Sequence, residues 1–391
     1  MRELAMIRHT LRIIAEFDTS MPLHRQLTSY FKFNKAMGSR DRREVRALVY
    51  PWFRMGKALI DMEQEERLAV ANFLCNTAPN SSLAYLCARY DLPLSELSMP
   101  ASEKLEKLEK KYPAFDRRAI FPMHRCISND IPLEELLYSM LQQPLVWIRV
   151  REAHVLAVKS ELQAAGITFS VHHDRPLSWS FDPAVKLTET ESYQKGYFEI
   201  QDLSSQKAGD AFNPQPGEEW WDACAASGGK SLQLLDKGKK IQLLASDVRA
   251  SILENYRERL QRAGYSPTTR VIDLSSNIAS LDQQFDAIIA DVPCSGSGTW
   301  SRTPENSVTF SEEALTKHYL PLQRSILDAL CERLKPGGTL FFITCSVFKS
   351  ENEENVNRLV QTHSLSLVRN LYLKGLEQRA DTMFLAILVK N

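Results

Sequence analysis

One stretch restricts the fold of this chain more than any other: residues 220–231, WWDACAASGGKS. An apolar approach, Trp220 and Trp221, reaches an acid at Asp222. Small residues then run from Cys224 to Gly229, and Lys230-Ser231 opens the amphipathic segment SLQLLDKG. That order reads as a strand, a tight turn and a helix start. Small side chains let a ligand come against the backbone, and free N–H groups at a helix start favour partial negative charge. A phosphate loop would need glycine five residues before the glycine of its GK[ST] ending. Cys224 stands there, so the nucleotide-triphosphatase reading fails at its most demanding position. The competing reading is the first turn of an open doubly wound sheet, where ligands sit beyond the carboxyl ends of the strands. An ordinary βα turn would not need four small residues and two glycines.

Around this turn the pattern alternates in α/β fashion from Glu218 onward. Strands are expected at Glu219–Ala223, Ile241–Ser246, Thr269–Ile272, Ala287–Ala290, Thr339–Thr344 and Phe384–Val389. Helices are expected near Lys230–Leu235, Ala250–Ala263, Leu315–Leu334 and Asn352–Thr362, with Gly337-Gly338 turning into the FFITC strand. The last strand, MFLAILVK, suits an antiparallel edge hairpin. Before this block, VWIRVR (146–151), HVLAVKSELQAAG (154–166), ITFSVHH and Tyr197–Ile200 read as strand, helix, strand and strand, a small α+β module able to meet RNA. Residues 1 to about 115 are helical by their i, i+3, i+4 apolar spacing. Ser39 is placed to cap one helix, further helices cover Gln64–Cys75 and Ser82–Tyr90, and Ala101–Lys111 reads as solvent-facing. Three parts follow: 1–134 helical with a Pro-punctuated connector, 135–205 the small module, and 206–391 the α/β domain.

At 391 residues, 44% hydrophobic and 25% charged, the chain has an ordinary globular composition. Its formal net charge is zero, so whole-chain electrostatics argue neither for nor against nucleic acid. Residues 1–50 are locally basic, with Arg40, Arg42, Arg43 and Arg46 among their cations, which suits either a phosphate-facing surface or a solvated helix face. The seven cysteines are odd in number, widely spaced and free of any CxxC pair, which argues against a zinc site and against a disulfide framework. No metal is expected. Charges scattered through MRELAMIRHTLRIIAEF exclude a signal peptide, and no apolar run is long enough to span a bilayer. A cytoplasmic protein with reduced thiols is the expectation.

Acids fall at the carboxyl ends of four expected strands: Asp222, Asp247, Asp273 and Asp291. In the second position an acid can accept both hydroxyls of an adenosine ribose, and Asp273 is placed for an adenine edge. The turn lacks the spaced G-x-G-x-x-G of dinucleotide binders, so an adenosine cofactor other than NAD is expected. If the fourth and fifth strands are adjacent and parallel, Cys294 and Cys345 share one rim near that cofactor. Buried cysteines are usually inert small hydrophobes, the reading kept for Cys75, Cys87, Cys126 and Cys331. Two thiols at neighbouring strand ends invite a nucleophile, although a free thiol with a pKa of about 8.5 is only a few per cent thiolate at neutral pH.

Five segments carry a family resemblance: QDLSSQ (201–206), DACAASGGKS (222–231), SDVR (246–249), DVPCSGSG (291–298) and TCSVFKSENEENV (344–356). In order and spacing they resemble the Sun/Fmu-type (RsmB-like) S-adenosylmethionine-dependent RNA cytosine-5 methyltransferases, over roughly Gln143 to the C-terminus. The helical N-terminal part resembles, more loosely, a NusB-like domain. The family's CAAPGGK reads CAASGGK here, its DAPCSG reads DVPCSG, and the start of the last strand reads DTMF. Ser227 for proline loosens the turn but keeps it small; Val292 for alanine is a mild change.

The resemblance implies a Rossmann-like class I methyltransferase domain with a mostly parallel seven-stranded sheet, preceded by the small α+β RNA-binding module and the helical domain. It also implies S-adenosylmethionine as cofactor. The backbone of Cys224, Ala225, Ala226, Ser227, Gly228, Gly229 and Lys230 would hold its methionine part, Asp247 the ribose, Asp273 the adenine, and Asp291 the region near the methyl. Carbon 5 of cytosine is a poor nucleophile, and thiolate addition at carbon 6 activates it. Pro293-Cys294 looks like the nucleophile of DNA cytosine methyltransferases, whereas the RNA family uses the cysteine of its TCS motif, here Cys345. The whole motif set is RNA-type, which assigns attack to Cys345 and product release to Cys294. Asp291 would bond the base at N3, and Lys230 would place or polarise the target, unless it is an ordinary solvent lysine at a helix start. The target cytosine must leave its stack, so a loop is the easiest site. The partner is then RNA, rRNA through the N-terminal likeness, with tRNA the alternative. A non-catalytic RNA-binding protein and a methyltransferase for an amine or small molecule remain as other readings.

Overall fold

The computed structural model describes residues 2–238, 240–276 and 281–391. The chain forms two compact units. The first comprises Met1–Ile127, Pro132–Gln143 and Thr299–Ser311; the second comprises Ser128–Ile131, Pro144–Gly298 and Glu312–Asn391. Thr299–Ser311, which the sequence alone assigns to the α/β domain, is thus part of the helical unit.

The first unit is built from helices Arg2–Ala15, Leu23–Phe33, Ser39–Arg54, Gln64–Cys75, Ser81–Arg89, Ala101–Lys111 and Leu133–Met140, joined by the short Glu305–Thr309. Two expectations change. Ser39 is the first helical residue, preceded by Gly38 without a side-chain cap. Ala101–Lys111 is not purely solvent-facing, because it buries Lys104, Leu105 and Leu108. Lys104 donates to the carbonyls of Phe73, Asn76 and Leu97, so its ammonium closes the end of Gln64–Cys75, where the last carbonyls lack helical partners. Burial lowers its pKa. Arg54 ties Thr299–Ser311 into this unit, donating to Ser301 O at 2.8 Å as well as to Met140 O and Gln142 O.

The second unit holds two sheets. The smaller has strands β1 (Val146–Val150), β2 (Ser170–His172), β3 (Arg175–Phe181) and β4 (Phe198–Ile200), in the antiparallel order β2-β3-β1-β4. Its core joins Ile148, Val150, Trp179, Phe181 and Phe198 to Val158 and Leu162 of helix Val155–Ala164.

The larger sheet has β5 (Glu219–Asp222), β6 (Gln242–Asp247), β7 (Thr268–Val271), β8 (Phe285–Asp291), β9 (Leu334–Thr344), β10 (Leu365–Leu373) and β11 (Met383–Lys390). Their order is β10-β11-β9-β8-β5-β6-β7. β5 to β9 pair in parallel, and β11 runs antiparallel between β9 and β10. The last strand is therefore interior, and the edge is β10. Gly337, at φ 76°, sits in an irregularity within β9 that shifts its register against β8, rather than in a turn before the strand.

Period-2 alternation puts Trp221, Ile288, Leu340 and Phe342 on one face, under helices Leu320–Glu332 and Glu353–Thr362. Trp220, Ile289, Phe341 and Ile343 face the other way, under helices Leu203–Asp210 and Gly229–Leu235. The chain leaves β5 toward β6 and β7, then returns to place β8 on the opposite side of β5. That reversal opens a crevice at the carboxyl ends of β5 and β8, where ligands of such sheets bind. Among the described residues, no helix is long and apolar enough to cross a membrane, and no group of three or more His, Cys, Asp or Glu could hold a metal ion.

Candidate active site

β5 ends in Asp222, which is 1% exposed. Ser231 donates to its Oδ2 at 2.6 Å, while Oδ1 has no hydrogen-bond partner among the described residues. Burial pushes this carboxyl up to about 7, against the opposing pull of the Ser231 bond. The small-residue turn is then fixed by its backbone: Ala225 N–H donates to Ser246 O at 2.8 Å and Ala226 N–H to Asp247 Oδ2 at 3.1 Å. Ala226 and Gly228 adopt positive φ of 46° and 84°. At Gly228 a Cβ would also lie 2.6 Å from the Tyr256 ring, so only glycine fits. Ser227, where the family pattern has proline, accepts at Oγ from Arg259 at 3.2 Å.

Asp247 ends β6 and is buried; its Oδ1 accepts from the N–H and Nε of Arg249. Asp273 lies two residues past β7, exposed, with its pKa lowered by hydrogen bonds from Ser275 and Ser276. Both acids line a cavity of about 600 Å³ together with Cys224, Ala226, Asp291, Cys294 and Cys345. A second cavity of about 210 Å³ lies along Cys224–Lys230 and adds Asp222. Cys224, Ala226 and Asp291 line both. All twelve residues singled out from the sequence thus line one or both cavities.

Lys230 is not a solvent lysine. It is 8% exposed, and its Nζ lies 2.5 Å from Asp291 Oδ2 at the end of β8. Burial alone would lower its pKa, but Asp291, with smaller contributions from Asp222 and Cys345, outweighs it and raises the value. Cys294 and Cys345, beyond the ends of the neighbouring strands β8 and β9, bring their Sγ atoms to 3.3 Å. The hydrogen bond to Cys345, then burial, hold the Cys294 thiol protonated well above the ordinary thiol range. The Cys224 thiol is also pushed far up, chiefly by burial. None of the seven cysteines forms a disulfide.

Three further residues complete the surroundings. Arg249 covers Asp247, and Arg259 links Ser227 to Glu199 and Ile200 of β4. Glu351 sits beneath both thiol segments, receiving Ser295 and Ser346. Arg249 and Glu351 lie within the segments SDVR and TCSVFKSENEENV, whereas Arg259 had no such signal.

A wider cavity of the unit, about 790 Å³, lies elsewhere, along β1 and β3. Its Arg149 and Arg151 pair with Asp236, and Arg175 pairs with Asp210. Those cations are balanced by acids of the same wall.

A parallel sheet reversing at β5, with a small-residue turn and acids at its strand ends, is a Rossmann-like class I methyltransferase fold. Solved structures share it. The crystal structure of PH0851 matches with a TM-score of 0.72 at 22% identity, covering 100% of this chain and 98% of that one. NSun6 from Pyrococcus horikoshii, solved with SFG, matches with a TM-score of 0.58 at 17% identity, covering 73% and 97%. Residues 210–383 match the family model described as 16S rRNA methyltransferase RsmB/F. Ribosomal RNA small subunit methyltransferase B of Yersinia enterocolitica is 30% identical over 234 residues, 59% of this chain and 54% of that protein. Its counterpart in Salmonella arizonae is 31% identical over 263 residues, 66% and 61%. The chain spans less than two thirds of the length of these relatives. Over residues 210–383 it is thus similar to the RsmB/F, or Sun/Fmu-type, methyltransferases.

Proposed function

We propose that this chain transfers a methyl group from S-adenosylmethionine to carbon 5 of a cytosine in RNA, through a bond between Cys345 Sγ and carbon 6. The carrying observation is the pair of thiols 3.3 Å apart on the wall of a cavity that also reaches Asp247 and Asp273. Methylation of an amine needs no sulfur nucleophile; carbon 5 of cytosine does.

The residues fit the cofactor. Residues Cys224–Lys230 line the smaller cavity, Cys224 and Ala226 also reach the larger one, and Asp222 Oδ1, without a partner among the described residues, lies at the same turn. The backbone groups of Cys224–Lys230 would hold the methionine part, Asp247 the ribose hydroxyls and Asp273 the adenine edge. Bound there, S-adenosylmethionine supplies an electrophilic methyl group.

The chain's own residues handle the base. The two sulfurs share a hydrogen bond in which either can donate, and in the proposed reaction Cys294 gives its proton toward the sulfur of Cys345. Asp291, bonded to Lys230, would hold the proton at N3 and make carbon 6 more electrophilic. Sulfur adds at carbon 6, and the electron pair of the 5,6 bond is left at carbon 5 to take the methyl. A base takes the carbon 5 proton, its electron pair re-forms the 5,6 double bond and the Cys345 thiolate leaves, a release step assigned to Cys294. A base in this cavity must be out of its stack, which favours a loop cytosine. The basic N-terminal unit and the four-stranded module would hold the surrounding RNA by its phosphates.

The names of the curated relatives favour small-subunit rRNA over tRNA as substrate. Bisulfite sequencing of both pools, from cells with and without the gene, tests reaction and substrate together. One rRNA cytosine losing its mark is expected. A lost mark in tRNA alone would overturn the substrate, and no change in either pool would overturn the reaction.

A further inference from the structure

Beneath the two thiols lies a carboxylate that the mechanism above does not use. Glu351 ends a single turn, Lys349–Glu351, and is fully buried. Its Oε1 accepts from Ser295 N–H and from Gln323 Nε2, both at 2.9 Å. Its Oε2 accepts from the hydroxyls of Ser295, at 2.5 Å, and Ser346. Ser295 follows Cys294, and Ser346 follows Cys345. The same cluster reaches the other side of each cysteine. Gln323 Nε2 also donates to Pro293 O at 2.9 Å, and Asn352 Oδ1 accepts from Thr344 Oγ1 at 2.5 Å. Asn352 Nδ2 then donates to Ser346 O at 2.9 Å. The residues flanking both thiols are therefore gripped from one place.

A buried carboxylate is costly unless its acceptor sites are filled, and the donors here are a backbone amide, a side-chain amide and two hydroxyls. Charge-assisted bonds of this kind are short, stiff and directional. An apolar side chain could fill the volume, but it could not hold loops from two different strands at one spacing. The thiols need that spacing, because a contact of 3.3 Å between sulfurs survives only if both loops keep their places.

We infer that Glu351 is a positioning residue that fixes the Cys294 and Cys345 thiols at their working separation through Ser295 and Ser346. The inference rests on the proposed two-cysteine reaction, but its geometry can be read without RNA. In the full-length chain the rates at which iodoacetamide alkylates Cys294 and Cys345 at neutral pH are measured separately by peptide mass spectrometry. The 3.3 Å contact should keep the two rates apart in the wild type, with Cys294, whose thiol that bond and burial hold protonated, the slower. Glu351→Gln keeps the shape and removes the charge; Ser346→Ala keeps the charge and removes one bond. Both should bring the two rates together, with the ratio falling by about tenfold in Glu351→Gln and by less in Ser346→Ala. In both, kcat should fall while KM for S-adenosylmethionine holds, and Tm should move by only a few degrees.

If only Glu351→Gln alters the ratio, the effect is one of charge and positioning is overturned. If neither variant alters it, positioning is likewise overturned. A loss of Tm with the rate ratio and kcat intact would make Glu351 a stability residue only. Should Glu351→Gln fail to fold, Ser346→Ala decides alone. Absence of 5-methylcytosine formation by the wild type would sink the proposed reaction, while the alkylation ratio would still test the grip.

Discussion

Three sulfurs line the large cavity, and their surroundings separate them. Cys224 lies in the turn, its thiol held protonated by burial among acids. Cys294 shares a hydrogen bond with Cys345, and that bond and burial hold its own thiol protonated; the proposed mechanism makes Cys345 the attacking sulfur. On the proposed mechanism Cys345→Ala removes the nucleophile, so turnover should fall by at least about 10³-fold while cofactor affinity, read by calorimetry, stays within twofold. Activity surviving in that variant would overturn the assignment. Cys294→Ala should instead accumulate a protein–RNA adduct that persists in a denaturing gel; free product in its place would count against the release role. Asp247→Ala removes the acceptor for the ribose, and an affinity loss of about tenfold is expected for one charge-assisted bond pair. Unchanged affinity would exclude that contact. Asp222, Asp247 and Asp291 were legible because each ends a strand that its own apolar run announces, whereas Asp273 follows the exposed β7 by two residues. The grip of Glu351 and the tie of Arg259 were not legible, because their partners Ser295 and Glu199 lie 56 and 60 residues away and only the fold brings them near.

At the scale of elements, the buried parallel strands stood out because both faces are covered, which makes their sequences continuous apolar runs. β10 did not, since LSLVRNLYL exposes most of its side chains at the sheet edge. β3 was hidden by the hairpin around His173-Asp174, which places a second strand directly after ITFSVHH. The burial of Lys104 was hidden as well, because nothing local distinguishes it from the other lysines of SEKLEKLEKK. The turn itself carries an element-scale consequence. Proline would stiffen its fourth position; Ser227 instead depends on helix Ala250–Arg262, whose Arg259 bonds Ser227 Oγ at 3.2 Å, Glu199 Oε2 at 2.7 Å and Ile200 O at 3.0 Å. One guanidinium thereby joins β4 of the small sheet to the cofactor turn, a task its planar fork suits better than an ammonium. Arg259→Lys should weaken S-adenosylmethionine binding about threefold to tenfold, read by calorimetry, and Ser227→Pro in the same chain should restore part of it. Equal affinities across the three proteins would show that the turn needs no such tie.

Over the whole molecule, a formal net charge of zero hides a concentration of acids at one crevice. Asp222, Asp247 and Asp291 converge on the turn, and among the described residues Lys230 and Arg249 pair with two of them there. Asp222 bears the cost: fully enclosed, with one oxygen unpartnered, it titrates at about 7 instead of the ordinary 3.8, first through burial and then through the neighbouring acids. In the unfolded chain the same carboxyl gives up its proton near the ordinary value. Between those two values the folded protein holds a proton that the unfolded chain has released, so this group's contribution to stability is complete at about pH 4 and is lost as pH rises through about 7. Asp222→Asn keeps an acceptor for Ser231 and cannot ionise. Its Tm should match the wild type near pH 4 and exceed it by several degrees at pH 8, a difference that scanning calorimetry across pH would resolve. Parallel Tm curves for the two proteins would mean that Asp222 ionises as readily in the fold as in water. Water or a bound group would then have to reach its free oxygen, and the crevice would tolerate a full negative charge at the root of its turn.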